Sequence, residues 1–491
     1  MSKPPHILAE VTEADWAAAG TGWTHLPYMA RFSAPGVPPS WESFLKGRYH
    51  AVLESGRTGS LTLAVPAARQ AINFYADGRV VSSTAQGAHE ESSEKPLDFL
   101  RRWSREVRAP QLSGWPAFQG GLLTVLGYEL ASQIEPVISA TADPSTPLAV
   151  VLEADEVCIF DSNVQQLTVV ILCRHENTTR STLKAAQARA QILAGLWLTA
   201  CAASPHAPLP RVAPATPLAS SLPAEAFVQA VDRCQAYISA GDTYQVNLST
   251  RLEVPPVHPL QAYEAMRAAN PSPYMGFAQL PGISLACGSP ELLVEVTNGN
   301  ITSRPIAGTR PRSADTAADE AWAAELSGDT KERAEHLMLV DLLRNDVGRV
   351  SQAGSVRVPE FMAIERYSHV MHLVSQVEGR LQTEVTPADV IRALFPGGTI
   401  TGAPKVRTMQ IISEIEPVAR GFYTGSLGWI GASGNLCLNI IIRSLWCTGG
   451  RCFVQAGSGI VADSVPEHEH AEALRKAQAP LLAAAHAALP R

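Results

Sequence analysis

Lysine is scarce in this chain. Only seven occur among 491 residues, at positions 3, 46, 95, 184, 331, 405 and 476, so chemistry that needs an amine has few places to reside. Positive charge is not in excess either: 46 acids against 39 bases leave a net charge of -7, which argues against a nucleic-acid surface. No apolar run approaches the roughly 18 residues that span a bilayer. The best, near Leu167–Cys173, has the length of a strand. The opening residues, MSKPPHILAEVTEADWAAAG, lack a basic-then-apolar export pattern, so a cytoplasmic location without a membrane is expected. Eight scattered cysteines show no C-x-x-C spacing, which excludes a zinc site or disulfide framework and predicts reduced thiols. Also missing are a G-x-G-x-x-G after an early strand, a G-x-x-x-x-G-K-[ST] phosphate loop and a Gly-x-Cys-x-Gly nucleophile turn.

What is present describes a globular chain, 46% hydrophobic and 17% charged, too long for one ordinary core. Residues 202–223 carry six prolines and sustain neither a helix nor a central strand. They read as a connector between an N-terminal region, 1–201, and a larger domain, 224–491. Strand patterns occur at Leu61–Val65, Val80–Ser83, Ala149–Ile159 and Gln166–Cys173, and after the connector at Tyr244–Val254, Leu292–Val296, Cys437–Ser444 and Cys452–Ala456. Helical spacing predicts Thr182–Leu198, Ala224–Ala240, Lys331–Asp346, Pro387–Leu394, Pro404–Ile415 and Glu467–Ala488. Tight turns between consecutive strands imply antiparallel pairing, and the mixture implies an α+β fold.

Several clusters suggest chemistry. Glu332 and Glu335 stand three apart on one helix, and Glu469 and Glu472 repeat that spacing on another, so each pair shares a face. Facing each other, they would form an oxygen-rich cage suited to Mg²⁺; singly, each pair also reads as a solvated helix face. Gly397-Gly398-Thr399-Ile400-Thr401-Gly402 before a helix, and Gly457-Ser458-Gly459 after a strand, are anion-friendly turns or structural punctuation. Arg443 ends an apolar run, where it either needs an anionic partner or leaves the strand for solvent.

Eight segments in order, GDTYQVNLS, GSPELL, RPIAGTRPR, KERAEHLMLVDLLRND, YSHVMHLVS, FPGGTITGAPK, IIIRS and QAGSGIVADS, resemble the chorismate-utilising enzymes. Before the connector, GGLLTVLGYEL is similar to a segment of the aminodeoxychorismate synthases within that family. The resemblance implies layered antiparallel β-sheets with helices outside and an interleaved N-terminal region. It implies Mg²⁺ held directly by Glu335 and Glu472 and through water by Glu332 and Glu469. It assigns Arg443 and Tyr423, with Gly459 in the Gly457-Ser458-Gly459 turn, to the enolpyruvyl carboxylate, with Lys476 nearby. Gly308, Thr309 and Thr399 line the substrate site, Glu291 is the acid for the departing ring hydroxyl, and His372 is the active-site histidine. His336 and His369 are read as structural.

Position 245 separates members of the family. Water-using members place a lysine base there, whereas Gln245 resembles the ammonia users, because ammonia attacks without a base to deprotonate it. Ala307, in Pro-Ile-Ala-Gly-Thr, resembles the anthranilate synthases, where aminodeoxychorismate synthases often carry lysine. Asn247 and the GGLLTVLGYEL segment favour the latter, so the resemblance implies aminodeoxychorismate synthase component I, with anthranilate synthase component I as the alternative. Leu53-Glu54-Ser55 resembles a tryptophan-feedback motif. Ammonia is then expected from a partner glutamine amidotransferase subunit. A non-catalytic subunit, the remaining alternative, would tolerate loss of metal carboxylates, and all four are present.

Overall fold

Among the described residues, two antiparallel sheets of thirteen and twelve strands carry eleven α-helices around them, the expected mixed architecture of layered sheets. The computed structural model describes every residue except 1–3, 57–58, 85, 92, 139–141, 176–178, 205–209, 367–369 and 490–491. Tyr367-Ser368 and His369, from the motifs above, therefore lie outside the described residues.

Alternation of side chains along a strand explains how the layers stack. The strand Gly121–Leu126 (GLLTVL) is buried at every position. Leu123 and Val125 join a cluster with Met29, Val52 and Phe277 of the thirteen-stranded sheet. Leu122 and Leu126 turn the other way, into a core with Leu97, Leu343 and Ile391 of three covering helices. Both faces are buried, so the strand reads as an apolar run broken only by Thr124.

Segments on either side of the connector enter both sheets. His50–Glu54 pairs with Tyr274–Leu280 in one, and Gly121–Leu126 with Ser426–Gly431 in the other. Within the connector itself, Ala219–Ser220 adds a short edge to the strand Gln245–Val254. No helix among the described residues is long and apolar enough to cross a membrane.

Three expectations need correction. The run Ala149–Ile159 is two strands: Ala149–Ala154 belongs to the twelve-stranded sheet and Glu156–Asp161 to the other, with a break at Asp155. Cys437–Ser444 likewise divides into Leu436–Asn439 and Ser444–Thr448, in different sheets. In both cases polar residues sit at the bend, Glu153, Asp155 and Glu156 at the first and Arg443 at the second, while apolar strands on either side make the run look continuous. The third concerns thiols. Cys447 and Cys452 face each other across a hairpin and are joined, because antiparallel register makes them opposite residues.

Candidate functional site

The helix Thr330–Gly348 begins at Asp329, whose carboxylate accepts from the backbone N–H groups of Lys331 and Glu332. Three residues apart, Glu332 and Glu335 share one face. Arg310, on the strand Ile306–Pro311, reaches Glu332 at 3.4 Å and Asp329 at 3.1 Å. That strand bulges between Ala307 and Thr309, and Gly308 there has φ +58°. A Cβ at Gly308 would stand 2.9 Å from a Glu332 carboxylate oxygen, so glycine is what lets that carboxylate approach the backbone.

The turn leading into the second acidic helix, Pro466–His486, meets the first helix through Lys331, whose ammonium lies 3.1 Å from Asp463. Glu335 carries the strain of this junction. Burial, and then the neighbouring charges of Glu332, Asp463 and Glu469, push its carboxyl up to about 7, with Lys331 opposing. Glu469 accepts from the Ser464 hydroxyl at 2.7 Å. Glu472 pairs with Lys476 at 2.8 Å, and the same ammonium reaches the Gly457 carbonyl at 3.2 Å. Among the described residues, no three His, Cys, Asp or Glu side chains are gathered into a preformed metal cluster. An all-oxygen donor set with one carboxyl loaded by its acidic neighbours nevertheless fits a hard divalent cation such as Mg²⁺.

A second group forms around Glu291. The chain bends at Pro290 between the two sheets, which leaves the Glu291 side chain buried. The Thr399 hydroxyl, 108 residues away in sequence, donates to it at 2.6 Å. Burial pushes this carboxyl up to about 7, against the Thr399 hydrogen bond and the charges of Lys476 and Arg443. Arg443 occupies the corner between Leu436–Asn439 and Ser444–Thr448 with φ 50°, a backbone setting unusual for arginine. Burial holds its guanidinium below the usual range, with Glu291 opposing. No described residue hydrogen-bonds it.

His372 is oriented through Nδ1–H, which donates to the Gly308 carbonyl at 3.0 Å with the Thr309 hydroxyl at 3.1 Å. Burial lowers its basicity, which keeps the ring neutral. His336 is also buried, bonded to Ser375 at 2.6 Å and pushed down to about 4, in a purely internal setting. Thr309 itself is exposed and Ala307 half-buried, opposite Leu373. Gln245 opens the strand Gln245–Val254 with its amide lying against Gly459, where a Cβ would stand 2.3 Å from Nε2. Ser458 turns the other way, its buried hydroxyl without a partner among the described residues. Tyr423 is buried and hydrogen-bonded to Asn247, and burial pushes its phenol up to about 12.

Thus Glu291, Thr399 and Arg443 converge, as do Gly308, His372 and Glu332, while Glu472 and Lys476 satisfy each other. Several participants escaped the sequence reading: Arg310 and Asp463 at the acidic junction, and the buried pair Arg420–Glu416. Glu416 and Arg420 lie beyond the helix Lys405–Ile415, where a spacing of four implies no contact, so no local signal marked the last. At the Leu53-Glu54-Ser55 motif, the Glu54 carboxylate is taken by Tyr263 at 2.5 Å and Arg267 at 3.0 Å. Ser55 lines a cavity of about 460 Å³ with Tyr274, Arg304 and Ile306.

The chain belongs to the chorismate binding enzyme family, whose profile matches residues 58–482, and the family makes it an enzyme acting on chorismate. Among curated relatives it is 43% identical to aminodeoxychorismate synthase component 1 of Bacillus subtilis, over 88% of this chain and 90% of that protein. It is 41% identical to anthranilate synthase component 1 of Pseudomonas putida, over 82% of this chain and 83% of that one. Among solved structures, anthranilate synthase component I of Streptococcus pneumoniae superposes with a TM-score of 0.72 at 31% identity, covering 86% of this chain and 92% of that one.

Proposed function

We propose that the protein is an aminodeoxychorismate synthase component I, converting chorismate and ammonia to 4-amino-4-deoxychorismate. The observation that carries an ammonia-using reaction is the amide of Gln245 against Gly459, where an amine base would otherwise sit. The product assignment is supported by the buried GGLLTVLGYEL segment and by the 43% identity to the Bacillus subtilis protein of that name. In this reading Glu335 and Glu472 hold Mg²⁺, with Glu332 and Glu469 behind water. A divalent cation held by these carboxylates would supply positive charge to the ring carboxylate of chorismate. Arg443 and Tyr423, with the Gly459 backbone, hold the enolpyruvyl carboxylate. Glu291, protonated near neutral pH, gives its proton to the departing hydroxyl. His372 orients the ring edge and eliminates no pyruvate. Ammonia reaches the site from glutamine through a partner amidotransferase subunit.

Ala307 bears on the mechanism. Its methyl group cannot form a covalent adduct, so ammonia is the attacking species and no lysine-linked intermediate forms. Protein incubated with chorismate, ammonium and Mg²⁺, quenched during turnover, should show only the unmodified chain by mass spectrometry. Its product should yield 4-aminobenzoate after a lyase is added. An adduct of chorismate mass on any lysine overturns direct attack. Anthranilate with pyruvate as main products replaces this assignment by the second reading, anthranilate synthase component I, which Ala307 favours.

Position 245 has its own test. Gln245→Lys should yield isochorismate without ammonium, since a lysine whose pKa is lowered by burial activates water. Intact chorismate binding without isochorismate sinks the placement of Gln245 beside the ring.

A further inference from the structure

Arg420 is about 1% exposed, and a guanidinium tolerates such burial only where its charge and donors are met. Here they are. Nε and Nη2 grip both oxygens of Glu416 at 2.9 and 2.7 Å. Nη1 donates to the Ile400 carbonyl at 3.0 Å and the Thr424 hydroxyl at 3.3 Å, and Nη2 to the Asn247 carbonyl at 2.5 Å. Glu416 also accepts the backbone N–H and hydroxyl of Ser249. Tyr128 and Tyr423 flank the guanidinium, their ring centres 4.8 and 5.6 Å away.

This cation ties together segments that meet nowhere else in sequence. Ile400 directly follows Thr399, the donor to Glu291, and its carbonyl also accepts the Asn247 amide at 2.9 Å. From the N-terminal region, Glu129 receives the backbone N–H groups of Arg420 and Gly421 at 2.7 and 3.0 Å. The Thr399 hydroxyl is spent on Glu291, so its segment is held through the Ile400 and Thr401 carbonyls, which accept from Asn247 and, at Ile400, from Arg420.

We propose that Arg420, seated by Glu416 and Glu129, is a positioning residue that sets the Thr399–Glu291 hydrogen bond, making the N-terminal GYEL segment a working part of the catalytic site. The proposal rests on Glu291 being the proton donor. Thr399, Lys476 and Arg443 are the groups that favour ionised Glu291 against its burial. Loosening Thr399 therefore raises the pH at which the acid loses its proton.

The test follows chorismate consumption with ammonium chloride and MgCl₂ across pH in Arg420→Lys, Glu129→Gln, Thr399→Val, Glu291→Gln and the double variant Arg420→Lys/Thr399→Val. Lysine keeps the charge but cannot span Glu416 and two carbonyls at once. Arg420→Lys should lower kcat about 10–100-fold, change KM for chorismate far less, and move the alkaline limb of the rate upward. The double variant should match Thr399→Val within about twofold, since both act through one bond. Multiplying losses, or an unmoved limb in a folded variant, overturn the proposal. If circular dichroism shows Arg420→Lys unfolded, Glu129→Gln carries the same expectations, and an unmoved limb there overturns it equally. An alkaline limb surviving in Glu291→Gln instead removes Glu291 as the donor, an outcome distinct from failure of Arg420 to position it.

Discussion

Glu291→Gln is expected to slow chorismate consumption by about 10²–10⁴-fold while the protein stays folded. The amide is close in shape and can still accept from Thr399, whose hydroxyl sits 2.6 Å from the carboxylate, but it cannot release a proton. Burial sets the pH dependence. The folded carboxyl is pushed up to about 7 from an ordinary value of 4.5, so the native state holds this proton more tightly than the unfolded chain does. That contribution to stability is complete below about 4.5 and is lost as pH rises through about 7. Turnover should fall over the upper part of the same range, because the acid must carry its proton to act. In Glu291→Gln both dependences lose this component: the difference in unfolding temperature between variant and parent should change from pH 5 to pH 8 in the variant's favour. A variant with parental rates, or a parental alkaline limb, removes Glu291 from the reaction.

The second large effect concerns the acidic junction. Glu335→Ala and Glu472→Ala should each leave a folded protein with almost no Mg²⁺-dependent turnover, measured as chorismate consumption against MgCl₂ concentration. Folding should suffer little, since both side chains are only half-buried. Glu335→Ala also removes a carboxyl that Glu332, Asp463 and Glu469 oppose. The two variants are not equivalent in the ligand-free protein. Glu472 gives up its pairing with Lys476, so its loss frees a cation, whereas loss of Glu335 relieves repulsion. Mg²⁺ binding measured by calorimetry in the presence of chorismate should nevertheless weaken in both. Near-normal rates in either variant at saturating Mg²⁺ defeat the metal assignment.

Much of this protein was legible before any coordinates. The strand Leu61–Val65 and the helix Pro387–Leu394 have the bounds their patterns predict, since each carries a clean period with turn or capping residues at its ends. Likewise, the three-residue spacing of Glu332 and Glu335 suffices to place them on one helical face, because helix geometry is local. The family resemblance needed only the ordered segments, and it led to most of the residues that the structure draws together around Glu291 and Gly308.

Other features depended on tertiary structure for a common reason: periodicity reports that a residue is buried, not which distant residue it meets. The strands on either side of Asp155 and Arg443 looked continuous because a charged residue at a bend reads the same as one on a strand's polar face, and only the pairing shows that the chain has changed sheets. Cys447 and Cys452 became partners through strand register. Glu291 owes its raised affinity for a proton to burial, and its bond to Thr399 to the meeting of segments 108 residues apart. Glu129 lies 291 positions from the backbone N–H of Arg420 that it holds, a contact no local spacing contains. Local pattern and motif order were enough for most elements, the donor types and the family; the layer changes at Asp155 and Arg443, the acidity of Glu291, the crowding at Glu335 and the anchoring of Thr399 through Arg420 were decided by folding, which removes water and sets charges from separate segments side by side.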